Sequence, residues 1–181
     1  PPMIVPLVAD ITNDEQVDAI TKQAVETLGS IHILINNAAM PGGSPGGRGS
    51  ITEIDNAAIL GDFDVKVLGT IRCVRGVVEQ MKQQGWGRII NIGGQSGRNA
   101  GNISSGARIA ALVHLTGTLA VELGSFGITV NAVHPGATRT ERTPGSLAER
   151  AKNEGISIEE AEKRAAGGNL IKRIIDSSEV A

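Results

Sequence analysis

The sequence predicts an α/β protein built as a doubly wound parallel sheet with helices on both faces. Two β-branched runs, 88–92 and 128–133, flank one long apolar segment at 105–123. Such runs need not alternate polar and apolar residues, because buried parallel strands are covered on both faces. The same order of run, helix and run recurs nearer the start of the sequence, which predicts a second parallel crossover. Ligands are expected at the carboxyl ends of these strands, where open α/β sheets bind them.

The first elements are a strand and an amphipathic helix. The apolar run at 3–9 predicts a strand, and Pro6 restricts it to an edge or a bulge because proline has no amide N–H to donate. Thr12 and Glu15 have the spacing of a capping box, which predicts the start of a helix. Apolar residues then recur on one helical face as far as Gly29, a suitable C-cap.

The middle of the chain continues the alternation of strands and helices. The run at 31–35 predicts a strand, after which Asn36 is expected to link neighbouring strands. Segment 40–50 is rich in glycine and proline, which is typical of a loop. Two interpretations of it remain open: a mobile flap over the strand ends, or a plain surface loop. The apolar stripe at 67–81 predicts the next helix, so helices should cover both faces of the sheet.

Composition narrows the function classes. In 181 residues, 40% are hydrophobic and 20% are charged, which excludes a disordered chain. No uninterrupted apolar run is long enough to span a bilayer, so no membrane partner is expected. A net charge of -2, with two Phe, one Trp and no Tyr, argues against binding of nucleic acid. The single cysteine, Cys73, cannot form an internal disulfide, so a reducing, cytoplasmic location is the default expectation. No His/Cys cluster predicts a metal site.

Several motifs, taken in order and with their spacing, resemble the short-chain dehydrogenase/reductase family. They are Asp10-Ile11, LINNAA at 34–39, GRIINI at 87–92, LAVEL at 119–123 and GITVNAVHPG at 127–136. The resemblance extends over almost the whole chain and implies a Rossmann-type, NAD(P)-dependent oxidoreductase that acts on a carbonyl or alcohol substrate. It also implies that 1–181 is one partial domain, in which the segment 137–168 covers the small-molecule substrate. Compared with the family, the N-terminal β-α unit with its glycine-rich turn and a C-terminal strand are expected to be missing from this chain.

The resemblance implies where the cofactor, NAD or NADP, would be contacted. The family places an acid against the adenine amino group at Asp10, with the following residue, Ile11, on the ring. Its backbone passes the ribose at Asn37, Ala38 and Ala39, and its nicotinamide carboxamide is bound at Pro135, Gly136, Thr138 and Thr140. Two simpler interpretations stay open: Asp10 only caps the strand end, and Pro135-Gly136 only turns the chain.

The catalytic positions of the family are altered in this sequence. The family uses a Tyr, a Lys four residues later, a Ser and an Asn, and this chain contains no Tyr. Alignment places Ser105 at the Tyr position, Ile109 at the Lys position, Gly94 at the Ser position and Lys66 at the Asn position. Ser96 is a displaced substitute for the serine, and Arg108 lies on the same helical face as Ser105.

A rewired site would therefore consist of Ser105, Arg108, Lys66 and Ser96. The alternative is structural: Ser104 or Ser105 is an N-cap, and the two cations are solvated or ion-paired. His134, near the expected nicotinamide, is a weaker candidate.

Two function classes follow, with a third that is more remote. The first is an oxidoreductase of the short-chain type with a degenerate or rewired site. The second is a catalytically inactive, nucleotide-binding or oligomeric scaffold, and the third is a cofactor-independent lyase on the same sheet. The apolar helix at 105–123 and the stripe at 67–81 resemble the four-helix dimer interface of the family, which implies a homodimer or homotetramer.

Overall fold

The computed structural model describes residues 4–40 and 44–181, which divide between Val133 and His134 into two compact units. The first unit ends with the last long strand, and the second runs from His134 to Ala181. Each unit is described by itself. The expectation of a single domain over 1–181 stays a prediction.

The described residues of the first unit form a three-stranded parallel sheet. Its strands are β1 (Ile33–Asn36), β2 (Gly87–Ile92) and β3 (Ile128–Val133), in the spatial order β1-β2-β3. Ile33 pairs with Arg88, and Gly87 pairs with Ile128, so all three strands point in one direction. The prediction that these three runs lie side by side in a parallel sheet is confirmed.

Four helices accompany this sheet in the described part of the first unit. They are α1 (Asp14–Leu28), α2 (Asn56–Phe63), α3 (Gly69–Gln84) and α4 (Ile103–Leu123). A π-helical turn, Asp64–Leu68, joins α2 to α3, so the helix predicted at 67–81 is part of a longer helical segment. Short 3-10 turns occupy Pro45–Gly47, Gln95–Gly97 and Gly124–Phe126.

An apolar core fills the amino-terminal end of the sheet. Met81 of α3, Ile89 of β2 and Leu123 of α4 are almost fully buried there, together with Ile128 of β3. Gly87 is required at this point because an added Cβ would lie 2.6 Å from the sulfur of Met81. The α3 and α4 helices therefore end against the starts of the strands.

A buried polar chain links the strands nearer their carboxyl ends. Asn36 Nδ2 donates to Asn91 Oδ1 at 2.9 Å, and Asn91 Nδ2 donates to Thr116 Oγ1 at 2.9 Å. The hydroxyl of Thr116 donates to the carbonyl of Leu112 at 2.7 Å. These bonds tie β1 to β2 and β2 to α4, which confirms the expectation that Asn36 links strands.

The predicted capping box of α1 is wrong. The N-cap is Asn13, whose side chain accepts from the amide of Gln16 at 2.9 Å. Thr12 instead donates its hydroxyl to Asp10 Oδ1 at 2.8 Å. Both residue types cap helices well, but only the one directly before the first turn can reach its amides. The predicted end is confirmed, because Gly29 has φ +82, a conformation that glycine adopts without strain.

The strand predicted at 3–9 is wrong for the residues that the structure describes. Residues 4–10 carry no strand, and the side chain of Val8 is 99% exposed. A strand exists only when its amides and carbonyls pair with a neighbour, and β1, β2 and β3 pair only with one another. Residues 1–3 lie outside the described part of the chain.

Helix α4 corrects one expectation from composition. With its 3-10 extension it runs over Ile103–Phe126, 24 residues, and is long and apolar enough to cross a membrane by length and composition. Inside this unit it packs against β3 and accepts the polar bond from Asn91. A helix of a folded domain can have the same length and composition as a membrane span, so these two properties alone do not assign α4 to a membrane.

The second unit contains two short strands and two helices. They are β4 (Thr138–Arg139), α5 (Thr143–Glu154), α6 (Ile158–Ala166) and β5 (Ile175–Asp176), with β4 parallel to β5. Leu147 and Ala151 of α5 pack on Ala161 of α6. Strands of two residues are too short to leave a pattern in the sequence, so β4 and β5 were not predicted.

Candidate active site

All four predicted catalytic residues line one cavity of about 260 Å³ in the first unit. Ser96 lies in the turn after β2, Ser105 and Arg108 lie in the first turns of α4, and Lys66 lies in the π-helical turn. Asn37, Ala39 and Met40, which follow β1, form another part of the wall. The cavity is thus at the carboxyl ends of β1 and β2, where the fold class predicts a ligand.

The two serines form a hydrogen-bonded pair. Ser105 Oγ donates to Ser96 Oγ at 2.7 Å, and Ser96 Oγ donates to the carbonyl of Ser105 at 3.3 Å. The second bond is longer than the usual range for a hydroxyl donor, about 2.5–3.0 Å, so it is the weaker of the two. The proton of Ser96 is therefore the one that can turn towards another oxygen at small cost.

Lys66 is a buried cation. Lys66 is only 3% exposed, and its Nζ donates to the carbonyl of Ala38 at 3.1 Å. Burial, and then the nearby charge of Arg108, lower the pKa of Lys66 to about 8. An ammonium with this pKa can release a proton near neutral pH, which an ordinary surface lysine does not.

Asp62 is the residue that the sequence did not single out. It is fully buried in α2 and accepts from the amide and the hydroxyl of Ser44 at 2.9 and 2.8 Å and from Ser104 Oγ at 2.6 Å. Arg108 Nη1 lies 3.3 Å from its Oδ1. Burial raises the pKa of Asp62, but these hydrogen bonds and the Arg108 charge outweigh it, so the pKa is lowered overall. Asp62 is therefore ionised and joins the loop after β1 to the start of α4.

A weak sequence signal for Asp62 exists. It follows AAILG at 57–61 and precedes Phe63, so one carboxylate interrupts an otherwise apolar helical turn. Buried acids are rare unless paired, but its partners Ser44 and Arg108 are far away in sequence. Only the folded chain shows that they meet.

Arg108 is buried but incompletely bonded. It is 5% exposed, and its Nη2 donates to the carbonyl of Met40 at a long 3.5 Å. Neither Nε nor Nη1 has a hydrogen-bond partner among the described residues, although Nη1 is ion-paired with Asp62. The alternative of solvated cations is therefore wrong for Lys66 and Arg108, and the ion-paired one holds for Arg108.

The predicted N-cap of α4 at Ser104 or Ser105 is also wrong. Asn102 caps the helix by accepting from the amide of Ser105 at 2.7 Å. This cap leaves both serine hydroxyls available, one for Asp62 and one for Ser96. The polar start of α4 is thus used for the cavity rather than for helix termination.

The remaining family positions differ in the space around them. Ile109 is buried and packs tightly against Gly97, where an added Cβ would lie 2.7 Å from Ile109 Cγ2. At Gly94, an added Cβ would meet no atom within 4 Å. Packing would therefore allow a serine at Gly94, although the sequence has none. Ile109, in contrast, is part of the packed interior.

A second cavity, of about 120 Å³, lies beside the first. It is lined by Ile11, by the end of β1 and by Asn37 and Ala38, so Asn37 borders both cavities. Hydrogen bonds from the amide and then the hydroxyl of Thr12 lower the pKa of Asp10, and both reach Oδ1. Asp10 Oδ2 accepts no hydrogen bond from the described residues. Ile11 lines this cavity and Asp10 directly precedes it in the chain, and an apolar residue next to an ionised acceptor is the chemistry that an adenine ring and its amino group need. Their role towards a cofactor stays a prediction.

The predicted nicotinamide residues belong to the second unit. Thr138 lies in β4, where its hydroxyl donates to the carbonyl of Gly136 at 3.1 Å. The amide of Thr140 donates to Thr143 Oγ1 at 2.8 Å, next to the start of α5. The turn after Pro135 is fixed by Asn169, which bonds the amide and the carbonyl of Ala137. Their role towards a cofactor stays a prediction, as do the covering role of 137–168 and the role of His134.

A family model described as short chain dehydrogenase matches residues 2–151. The chain belongs to the short-chain dehydrogenase/reductase family. This confirms the resemblance and the Rossmann-like parallel sheet.

Among the residues that the structure describes, no group of three or more His, Cys, Asp or Glu side chains could hold a metal ion.

Curated relatives carry oxidoreductase names. The chain is 37% identical to the (2S)-[(R)-hydroxy(phenyl)methyl]succinyl-CoA dehydrogenase subunit BbsD of Thauera aromatica over 74% of the chain and 52% of that protein. It is also 37% identical to the short-chain reductase protein NovJ of Streptomyces niveus, over 89% of the chain and 60% of that protein. The chain thus spans roughly half to three-fifths of the length of these relatives.

Solved structures agree on the fold. The L-sorbose reductase of Gluconobacter frateurii, complexed with NADPH and L-sorbose, matches with a TM-score of 0.83 and 26% identity, over 95% of this chain and 65% of that one. An actinorhodin polyketide ketoreductase with NADPH also has a TM-score of 0.83, with 30% identity over 95% and 66% of the two chains. These neighbours support NAD or NADP as the cofactor of the family to which the chain belongs.

Proposed function

We propose that the protein is an NAD(P)-dependent oxidoreductase that reduces a carbonyl group of a small molecule, or oxidises the matching alcohol, with a rewired catalytic site. The observation that carries this proposal is the shared cavity, in which Lys66, Ser96, Ser105 and Arg108 meet at the strand ends. The usual tyrosine is missing, but a buried lysine with a pKa of about 8 supplies another proton donor.

NAD(P)H, when bound, supplies the hydride that reduces the carbonyl carbon. The oxygen then carries the electron pair of the broken C=O π bond and needs a proton. Lys66 gives one proton from its ammonium and becomes a neutral amine, which takes a proton back from solvent. Because its pKa is near 8, this transfer is far easier than from an unperturbed lysine.

The serine pair and Arg108 would assist this proton transfer. Ser96 gives up its weak bond to the Ser105 carbonyl and donates to the substrate oxygen instead, while Ser105 keeps donating to Ser96. Arg108 is permanently protonated and adds a positive charge beside the developing alkoxide. In the reverse direction, neutral Lys66 accepts the alcohol proton.

A non-catalytic scaffold is the second candidate. The observation that favours it is Ile109, which is buried and packed at the position where the family has its lysine. Under this alternative the protein binds nucleotide, or only associates through its helices, and the cavity has no turnover.

We also propose that the protein forms a homodimer or homotetramer in the cytoplasm. The outer face of α4 is apolar and exposed in the single chain, with Val121 87% exposed near Gly117 and Val113. Such a face is unfavourable in water without a partner. The free, half-buried Cys73 is compatible with a reducing compartment.

The test is carbonyl reduction by the full-length protein with NADH and with NADPH. We expect Lys66→Met to lower kcat by about 10²–10⁴-fold, the usual contribution of a positioned acid. Lys22→Met is the matched control, because Lys22 is an exposed lysine on α1 whose only described charge partner is Glu26. The wild-type rate of reduction should fall as pH rises through about 8, since the protonated lysine is the active form.

Two results would contradict the proposed reaction. One is a Lys66→Met enzyme that keeps the wild-type kcat. The other is a protein whose melting temperature rises with NAD(H) or NADP(H) but which reduces no carbonyl in a broad panel, and this result would favour the scaffold.

A further inference from the structure

The cavity has an excess of buried positive charge. Lys66 and Arg108 both line it. Asp62 is ion-paired with Arg108, whereas Lys66 has no carboxylate partner among the described residues. Asp62 also accepts three hydrogen bonds, from the amide and the hydroxyl of Ser44 and from the hydroxyl of Ser104. Its carboxylate oxygens therefore have little capacity left to accept a bond from Lys66. One net positive charge is left at the cavity wall.

The donors of these cations are also incompletely used. An ammonium has three N–H groups, and Lys66 makes one hydrogen bond, to Ala38, among the described residues. Arg108 has no hydrogen-bond acceptor for Nε or Nη1 there. Withdrawing a charged group from water costs several kcal/mol unless other charges and hydrogen bonds compensate. An anion in the cavity would supply both the missing negative charge and the missing hydrogen-bond acceptors.

We propose that this cavity binds the carboxylate of a small oxo acid, so that the substrate of the proposed reduction carries a carboxylate close to its carbonyl. Lys66 is the direct partner, and Arg108, which also lines the cavity, adds N–H groups that no described residue accepts. This inference rests on the proposed function, since it names the substrate class of the same site.

The single ammonium of Lys66 determines where the carboxylate must lie. Both the carboxylate and the reacting carbonyl must fit near one ammonium, which requires them on adjacent or nearly adjacent carbons. With one N–H of Lys66 on Ala38, two remain, one for the carboxylate and one for the carbonyl oxygen.

The test is calorimetric titration of the full-length protein with 2-oxobutanoate and with its neutral methyl ester. We expect the acid to bind at least about 30-fold more tightly than the ester, because the pairing of buried charges is worth about 2 kcal/mol or more. Lys66→Met should abolish this preference. The matched control is Arg98→Gln, which removes one positive charge from an exposed arginine outside the cavity lining.

A second variant, Arg108→Gln, should also weaken binding of the acid by about 10-fold or more. It leaves Asp62 without its ion pair and can unfold the protein, so circular dichroism accompanies the titration. If it unfolds, Lys66→Met decides, because methionine replaces the lysine with an apolar side chain of similar length.

Equal affinity for acid and ester, or an unchanged preference in a folded Lys66→Met protein, would overturn the inference. So would inorganic phosphate that binds as tightly as 2-oxobutanoate, because a phosphate group of the cofactor would then be the better occupant. Failure of the proposed function has a different signature: the acid binds with the expected preference and no NADH- or NADPH-dependent reduction follows. Reduction of neutral ketones as fast as oxo acids would leave the function standing and remove the carboxylate site.

Discussion

The two ends of the parallel sheet in the first unit differ in what they bury. At the amino-terminal end the buried side chains are apolar, with Met81, Ile89 and Leu123 in one cluster. At the carboxyl-terminal end they are charged, with Asp62, Lys66 and Arg108 each at most 5% exposed. The same strands and helices thus begin in a hydrocarbon core and finish beside an ionic cavity.

This difference shows that one fold can separate stability from chemistry along the axis of its strands. Burial of an apolar side chain stabilises the folded state by about 1.5–3 kcal/mol. Burial of a charge destabilises it unless partners compensate. The apolar end of the sheet can therefore support an ionic end at which the pKa values of Lys66 and Asp62 are lowered, and buried groups with shifted pKa values are typical of functional sites.

The largest effect on this comparison is expected from Asp62→Ala. This substitution leaves Arg108 as an unpaired buried charge and removes the hydrogen-bond acceptor of Ser44 and Ser104. The free energy of unfolding should therefore fall by about 3–5 kcal/mol. The control is Asp18→Ala, at an exposed position of α1, which should change the free energy of unfolding by less than about 0.5 kcal/mol. Urea denaturation at pH 7 measures both.

The contribution of Asp62 should also depend on pH. Its pKa in the folded state is lowered, so its stabilisation is present above the ordinary pKa of 3.8 and is lost as pH falls through the folded value. A stability difference between wild type and Asp62→Ala that stays constant down to the most acidic pH at which both proteins fold would contradict the lowered pKa.

The next largest effect, opposite in sign, is expected from Lys66→Met. The pKa of Lys66 is lowered from 10.5 to about 8, so the unfolded state binds more protons between these values and wild-type stability should rise with pH across that window. At pH 7 the variant should be more stable by up to about 3 kcal/mol. Chemical denaturation from pH 7 to 10.5 measures this, with Lys22→Met as control.

A Lys66→Met protein that is no more stable than wild type at pH 7 would show that the buried charge of Lys66 does not destabilise the folded state. Together with the kinetic test, the expected result is a protein that gains stability and loses activity. That combination would show that the ionic end of the sheet serves activity at the expense of stability.

The smallest effect is expected at the apolar end, from Ile89→Val. Removal of one buried methylene group should cost about 0.5–1.5 kcal/mol, without a change in kcat or in the pH profile. Ile35→Val in β1 is the matched control, because Ile35 is more than half exposed and should lose less. Loss of activity in a folded Ile89→Val protein would show that the two ends are coupled.

Much of the fold could be predicted from the sequence. The runs at 31–35, 88–92 and 128–133 became β1, β2 and β3, and the helix before Gly29 ended where expected. These features depend on periodicity and on local backbone preferences, which any stretch of sequence carries by itself. Ser105 and Lys66 were chosen by position in a family pattern, Ser96 as a displaced substitute, and Arg108 because it shares a helical face with Ser105. The fold brings all four to one cavity.

The errors fall where several residues could do the same local task. Asn13 caps α1 although Thr12 has the better motif, and Asn102 caps α4 although two serines follow. The run at 3–9 has strand composition, but residues 4–10 pair with no strand that the structure describes. Such choices depend on contacts with distant parts of the chain, which a local pattern does not contain.

The sequence by itself determined the parallel sheet, its helices and the family, because apolar spacing and turn residues act over a few neighbouring positions. Only the tertiary structure decided the electrostatics of the cavity. Asp62, Ser44 and Arg108 are scattered over the chain and meet only in the folded protein, where hydrogen bonds and the Arg108 charge hold the pKa of Asp62 below its ordinary value. Desolvation is a property of the assembled interior, and it is what makes a lysine at position 66 able to give up a proton near pH 8.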